Sequence, residues 1–269
     1  MFKLINYDIC NGMVYIYKKL IALIVFILIM LMYNRFVVLN SPVEDIYISL
    51  GDYLVYLFKG SKPFDIQNLD IPVVFIGIHM FISMMIGYYA VDDIHGYGKQ
   101  VFIRCGKKSL WWYSKCIWIV CTVFVSYSLI YLTVFVFGAC SGAQMTLNVN
   151  DSIFMYFEKL SLAGIQGMEL LLHMFVTPLL YSIAISIFQV MMSLLVGPIL
   201  SFITVMVYTI LSVMVAKPIL VCNYSMIMRN KYVLGTDMTC QTGIILLLLM
   251  SIVCIVIGRV IVNKKDISL

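Results

Sequence analysis

The sequence predicts an all-α polytopic membrane protein with six transmembrane helices, and three observations carry that expectation. Of 269 residues, 63% are apolar or aromatic and only 12% are charged; the mean hydropathy is +1.03; and six stretches are each apolar over about 20 residues, the length a helix needs to cross the hydrocarbon of a bilayer. A soluble chain is roughly half apolar and a quarter charged. This one has too little polar surface to cover a water-soluble core, which excludes soluble enzymes and disordered chains together. A β-barrel would alternate apolar and polar residues along each strand. The apolar runs here do not alternate.

The six spans run about Leu20 to Leu39, Ile71 to Ala90, Cys116 to Ala139, Leu170 to Ser193, Leu195 to Ala216 and Gly243 to Val262. The fourth and fifth form one charge-free run from Leu170 to Ala216, too long for a single crossing, and Gly197-Pro198 breaks it into a tight hairpin. An even number of spans puts both termini on one side. With that side inward, the inner segments carry eleven basic residues against four acidic ones and the outer segments seven against nine. The positive-inside rule therefore places both termini in the cytoplasm.

Ahead of the first span, Phe2, Ile5, Ile9, Met13, Ile16 and Leu20 recur at spacings of three and four, which puts them on one helical face. Residues 1–19 read as an amphipathic helix lying in the membrane plane, the alternative being a frayed tail. Lys18-Lys19 precede an apolar stretch as in a secretory signal, but no small-x-small cleavage site follows, so retention is expected. Outside the membrane, Ser41-Pro42-Val43-Glu44 forms a capping box with proline at the first helical position. A surface helix running through Ile46, Leu50, Leu54, Leu57 and Phe58 would end at Gly60. A second is expected from Asp151 through Phe154, Phe157 and Leu160. The loop from Lys217 to Thr242 keeps no period, which leaves extended or re-entrant structure open.

Catalytic patterns are missing. His79, His95 and His173 fall on separate segments without ligand spacing, so no metal site is expected. Gly106-Lys107 is followed by Lys108 rather than Ser or Thr, so there is no phosphate loop. Ser141-Gly142 lacks the flanks of a serine nucleophile. No Asp or Glu lies inside a span; His79 is the sole mid-membrane candidate for carrying a proton or cation, either facing a wet cavity or hydrogen-bonded to a neighbouring helix. The outer cysteines, Cys140, Cys222 and Cys240, have spacings that select no disulfide.

The most informative stretch is the inner loop, residues 91–115. Asp92 and Asp93 suit a helix amino terminus, while Arg104, Lys107 and Lys108 gather at the far end. Val101, Phe102 and Ile103 are apolar in a cytoplasmic segment and need a surface to bury against. Trp111-Trp112 and Tyr113 belong at the headgroup level. Docking to a protein and lying on anionic lipid both fit this composition.

In its order of segments, and in the series Asp92 or Asp93, Gly98-Lys99, Arg104, Lys107-Lys108 and Lys115, the chain resembles the permease subunits of type-2 ATP-binding-cassette (ABC) exporters of bacteria. The usual Ser-Arg step of that pattern is replaced by Cys105-Gly106-Lys107-Lys108. The resemblance implies a multi-pass subunit of the bacterial cell membrane with no catalytic activity of its own. Its inner loop would be a coupling helix, with Asp92, Asp93, Gly98, Lys99, Val101, Phe102, Arg104, Lys107 and Lys108 meeting a separate cytoplasmic ATPase present in two copies. ATP and Mg would bind that partner; this chain would hold no cofactor and touch no nucleic acid. A second permease chain, identical or homologous, would complete the transporter, and Phe75, His79, Ser83 and Tyr208 would line the cargo path between them. A hydrophobic peptide, such as an antimicrobial or toxin peptide, is the expected cargo. Lipid or drug extrusion, and a stand-alone immunity or accessory protein without an ATPase, are the alternatives.

Overall fold

The computed structural model describes residues 2–43, 47–63, 71–96, 108–165 and 167–264. The helices in chain order are α1 (Phe2–Leu39), α2 (Leu50–Phe58), α3 (Val73–Ile86), α4 (Tyr89–His95), α5 (Lys108–Ser141), α6 (Asp151–Glu158), α7 (Gly167–Phe175), α8 (Thr177–Val196), α9 (Pro198–Met214), α10 (Lys231–Leu234) and α11 (Cys240–Lys264). Two short 3-10 turns, Val221–Ser225 and Ile227–Arg229, precede α10. Among the described residues there is no β-strand, only an isolated bridge between Ser49 and Gln144. The protein is an all-α membrane protein. Among the described residues five stretches are long and apolar enough to cross a bilayer: Lys3–Leu39, Val73–Asp93, Lys108–Ser141, Gly167–Val196 and Cys240–Lys264.

The fifth expected span falls short of that length. Helix α9 has 17 residues, about 25 Å at 1.5 Å per residue, against a hydrocarbon core of about 30 Å. It nevertheless returns along α8. Gly197 takes φ 88° and ψ 164°, a backbone shape closed to residues with a Cβ, and the hydroxyls of Tyr181 on α8 and Thr209 on α9 meet at 3.0 Å.

The expected in-plane helix is not a separate element. Helix α1 runs unbroken from Phe2 through Leu39, with no interruption at Lys18-Lys19. Its apolar face, Ile16, Leu20, Leu23, Ile27 and Leu31, is buried, and at its first turns Gly12 lies under the Trp118 ring of α5, where a Cβ would come within 1.9 Å of Nε1. Packing against α5 thus extends the first span back to the amino terminus.

The outer helix after α1 also differs from expectation. Ser41, Pro42 and Val43 are not helical, and Glu44 and Ile46 lie outside the described residues. The helix starts at Leu50 with a different capping box: the Asp52 N–H donates to the Ser49 hydroxyl, and the Asp52 carboxylate accepts from the Ser49 N–H at 2.8 Å. Nor does α2 lie on a membrane surface. Leu50, Tyr53, Leu54, Leu57 and Phe58 are all buried: Tyr53 packs on Phe137 and Phe58 on Tyr127 and Tyr131 of α5, while the Leu50 and Gly51 N–H groups donate to the carbonyls of Gln144 and Thr146. Helix α6 begins at Asp151 as expected and ends at Glu158.

The bundle has two distinct ends. At the cap end lie α2, α6, α7, the 3-10 turns and the start of α3. At the loop end lie the first turns of α1, α4 and the first turns of α5. Helix α11 reaches from one to the other: near its start the Cys240 N–H approaches Glu169, and near its end the Ile255 carbonyl accepts from Trp112 Nε1 at 2.8 Å.

Candidate functional site

The two flanks of residues 97–107 meet in a buried ion cluster at the loop end. Lys115 is fully buried, and its Nζ lies 2.6 Å from Asp8 Oδ1 and 2.7 Å from Asp93 Oδ2. Ser114 donates to Asp8 at 2.5 Å and Trp111 Nε1 to Asp93 at 3.0 Å. Tyr89 donates to Asp8 at 3.3 Å while its ring lies 4.4 Å from the Lys115 ammonium. Taking three charges out of water is tolerable only where each is paired and hydrogen-bonded, and that is the arrangement here. Asp93 precedes the loop and Trp111 and Lys115 follow it, so the loop is clipped shut at its base and tied through Asp8 to α1.

Of the residues expected to meet a partner, Gly98, Lys99, Val101, Phe102, Arg104 and Lys107 lie outside the described residues. Asp92 and Asp93 sit in α4 and bond within the chain. Asp92 accepts from the Tyr15 hydroxyl at 3.0 Å, and Asp93 belongs to the ion cluster. Lys108 opens α5. The sequence pattern pointed to Asp93 and Lys115 but not to Asp8, whose signal was a lone carboxylate beside the apolar face of residues 5, 9, 13 and 16.

The expected path residues do not share an outer face. Phe75, His79 and Ser83 are buried within the bundle. His79 Nδ1 bonds the Ser182 hydroxyl at 2.8 Å, and its ring packs edge-on to Phe75 and Tyr181. Ser83 donates to Gln189 Oε1. Tyr208 is half-buried and its hydroxyl accepts the Val221 N–H. Sequence reasoning passed over α8, where Ser182, Ser186, Gln189 and Ser193 fall at spacings of four and three, because it sought carboxylates.

A third polar centre holds the cap end. Arg229, buried and among the described residues without a carboxylate partner, donates to the carbonyls of Ser61, Lys62, Ser212, Val213 and Val215 and to Asn223 Oδ1. The Ser212 and Val213 carbonyls end α9 and have no helical partner of their own, and a cation is favoured at that pole. Burial draws the Arg229 pKa down to about 10, which leaves it charged at neutral pH. The loop that kept no period is therefore a packed plug, with Cys222, Asn223, Ser225 and Met226 all buried. Beside it, Lys59 pairs with Glu158 at a cleft of about 290 Å³ lined also by Tyr33, Asn34, Tyr56 and Phe154. At the same end, burial pushes the Asp52 carboxyl above its ordinary value although the N–H groups of Ser49 and Asn150 pull it down.

Among the described residues no three of His, Cys, Asp and Glu come together as a metal site, and Cys140, Cys222 and Cys240 are free thiols.

Fold and site together define a helical membrane protein with an ordered cap and a clipped loop at the opposite end. The chain belongs to the DUF2705 family, described as proteins of unknown function, whose model matches residues 64–268. No curated protein and no solved structure matches it.

Proposed function

We propose that this chain is the membrane-spanning permease subunit of an ABC exporter, moving a hydrophobic or amphipathic cargo, a peptide foremost, with energy from a separate cytoplasmic ATPase. In this reading the chain crosses the cell membrane six times, with α9 as the short fifth crossing and the loop end in the cytoplasm. One observation carries the proposal. The basic, partly apolar inner loop is clipped at its base by Asp93, Trp111 and Lys115 and tied there to α1 through Asp8. A loop held this way passes a push on its tip to three helices at once, which is what coupling to a moving partner requires. The cleft beside Lys59 and Glu158, part apolar and part charged, suits an amphipathic cargo.

The test is co-purification. Truncating an apolar anchor at a protein interface costs about 1–4 kcal/mol of association, and Arg104 supplies a charge for acidic groups of the partner. Phe102→Ala with Arg104→Ala is expected to remove the ATPase from the purified complex, or to uncouple hydrolysis from export, while membrane insertion is unchanged. Retention of both complex and export in that double variant would contradict the assignment.

A further inference from the structure

The contact between α3, α5 and α8 gathers a run of buried, uncharged polar side chains. Helix α8 turns Ser182, Ser186, Gln189 and Ser193 toward it, α5 adds Thr122 and Ser126, and α3 adds His79 and Ser83; every one of these is at most 3% exposed. Part of their hydrogen-bonding capacity is used. His79 Nδ1 meets Ser182, which also meets the Tyr127 hydroxyl at 2.9 Å; Ser83 is bonded to Gln189; Ser126 and Ser193 bond back to carbonyls of their own helices.

Four atoms of this set have no partner in the chain: His79 Nε2, Thr122 Oγ1, Ser186 Oγ and Gln189 Nε2. On α5 and α8 the unpartnered positions lie on the loop-end side of the contact between His79, Ser182 and Tyr127. Ser186 is one turn from Ser182 and Gln189 nearly another, so on α8 the unpartnered positions follow the His79 contact within about 10 Å at 1.5 Å per residue. Thr122 is five residues from Tyr127 in the same direction, toward the loop end. Inside a bilayer no bulk solvent relieves such groups. Buried polar atoms without a protein partner are satisfied by ordered water, which binds where two to four polar groups converge. The set is neutral and mixes hydroxyls, an amide donor and an imidazole nitrogen, with no Asp or Glu in these segments to hold a cation. Water fits it.

Further polar contacts lie between this seam and the cap end, in two separate groups. Tyr127 donates to the Pro178 carbonyl at 2.8 Å; the neighbouring Thr177 hydroxyl lies 3.4 Å from His173 Nδ1; His173 Nε2 lies 2.7 Å from Asn230 Nδ2, which donates to the half-buried Glu169 at 3.0 Å. We infer that the seam between α3, α5 and α8 binds ordered water held by His79, Thr122, Ser186 and Gln189, and that the buried His79 ring exchanges its proton with that water. At each hydroxyl or water in the seam one proton is accepted on a lone pair as another is released, so the balance closes with no oxidant or other reactant. The inference stands independently of the ATPase reading.

Solid-state NMR of the full chain in phospholipid vesicles, with isotope-labelled histidine rings, reads this directly. The His79 signals are assigned by their loss in His79→Gln. Polarisation is expected to pass from water to the His79 ring within milliseconds, and its N–H to be replaced within minutes in heavy water. Thr122→Val with Ser186→Val puts methyl groups into the seam and is expected to slow both processes at least tenfold. A wild-type His79 ring that receives no polarisation from water and keeps its proton for hours overturns the inference, and it does so whether or not the double variant folds. Equal exchange in a folded double variant overturns it too.

Discussion

Lys115 is the residue whose surroundings most constrain its replacement. Removing one partner of a buried ion pair strands the other charges and costs about 3–5 kcal/mol. Lys115→Met is therefore expected to lower unfolding stability in detergent micelles by that amount, because Asp8 and Asp93 remain buried without a cation. Adding Asp8→Asn should recover part of the loss; a double variant no more stable than the single one would mean that the carboxylates are not what is left uncompensated. Arg229 makes a second prediction. Its guanidinium reaches six oxygens on three segments, whereas a lysine ammonium has three donors and no planar fork. Arg229→Lys should thus lose most of the thermal stability that Arg229→Met loses, and full rescue by lysine would show that charge alone matters there. Neither role was legible in the sequence. Asp8 and Lys115 are 107 residues apart, and Arg229 bonds mostly to backbone carbonyls, which leave no mark on residue identity.

At the scale of elements, the apolar runs were legible because a bilayer imposes a length that composition alone reports. Their ends were not. Lys108 to Lys115 are helical although they are charged and aromatic, since Trp111 and Lys115 have partners on α4. The fourth run breaks at Val176, where Pro178 lacks an N–H for the Met174 carbonyl; Tyr131 donates to that carbonyl and to the Phe175 carbonyl, at 3.2 Å each. Helix α2 begins where Ser49 and Asp52 cap it rather than at Ser41, because packing of Tyr53 and Phe58 on α5, a tertiary effect, chose between two plausible caps. Helix α9 decides the topology. With α9 as a crossing, a cysteine introduced as Ser268→Cys should react with a membrane-impermeant maleimide from the same face as the exposed Cys10. Reaction from the face of the exposed Cys140 would mean that α9 turns back within the membrane and that the chain crosses five times.

For the whole molecule, the structure joins a rigid cap at one end to a clipped loop at the other through helices that share a polar interior. The sequence pattern located the loop through its charges. It could not show that Asp93 and Lys115 close its base, since only the folded chain brings the two flanks together around Asp8. The proposed function rests on that loop meeting an ATPase from the cytoplasm, and the native Cys105 within its sequence reports the contact without any substitution. The decisive measurement is the rate at which an impermeant maleimide labels Cys105 in inside-out membrane vesicles, with and without the bound ATPase, read by peptide mass spectrometry. The account predicts labelling from the cytoplasmic face alone, slowed at least tenfold when the ATPase is bound. Labelling of Cys105 from the outer face, or at the same rate with and without the ATPase, would contradict it.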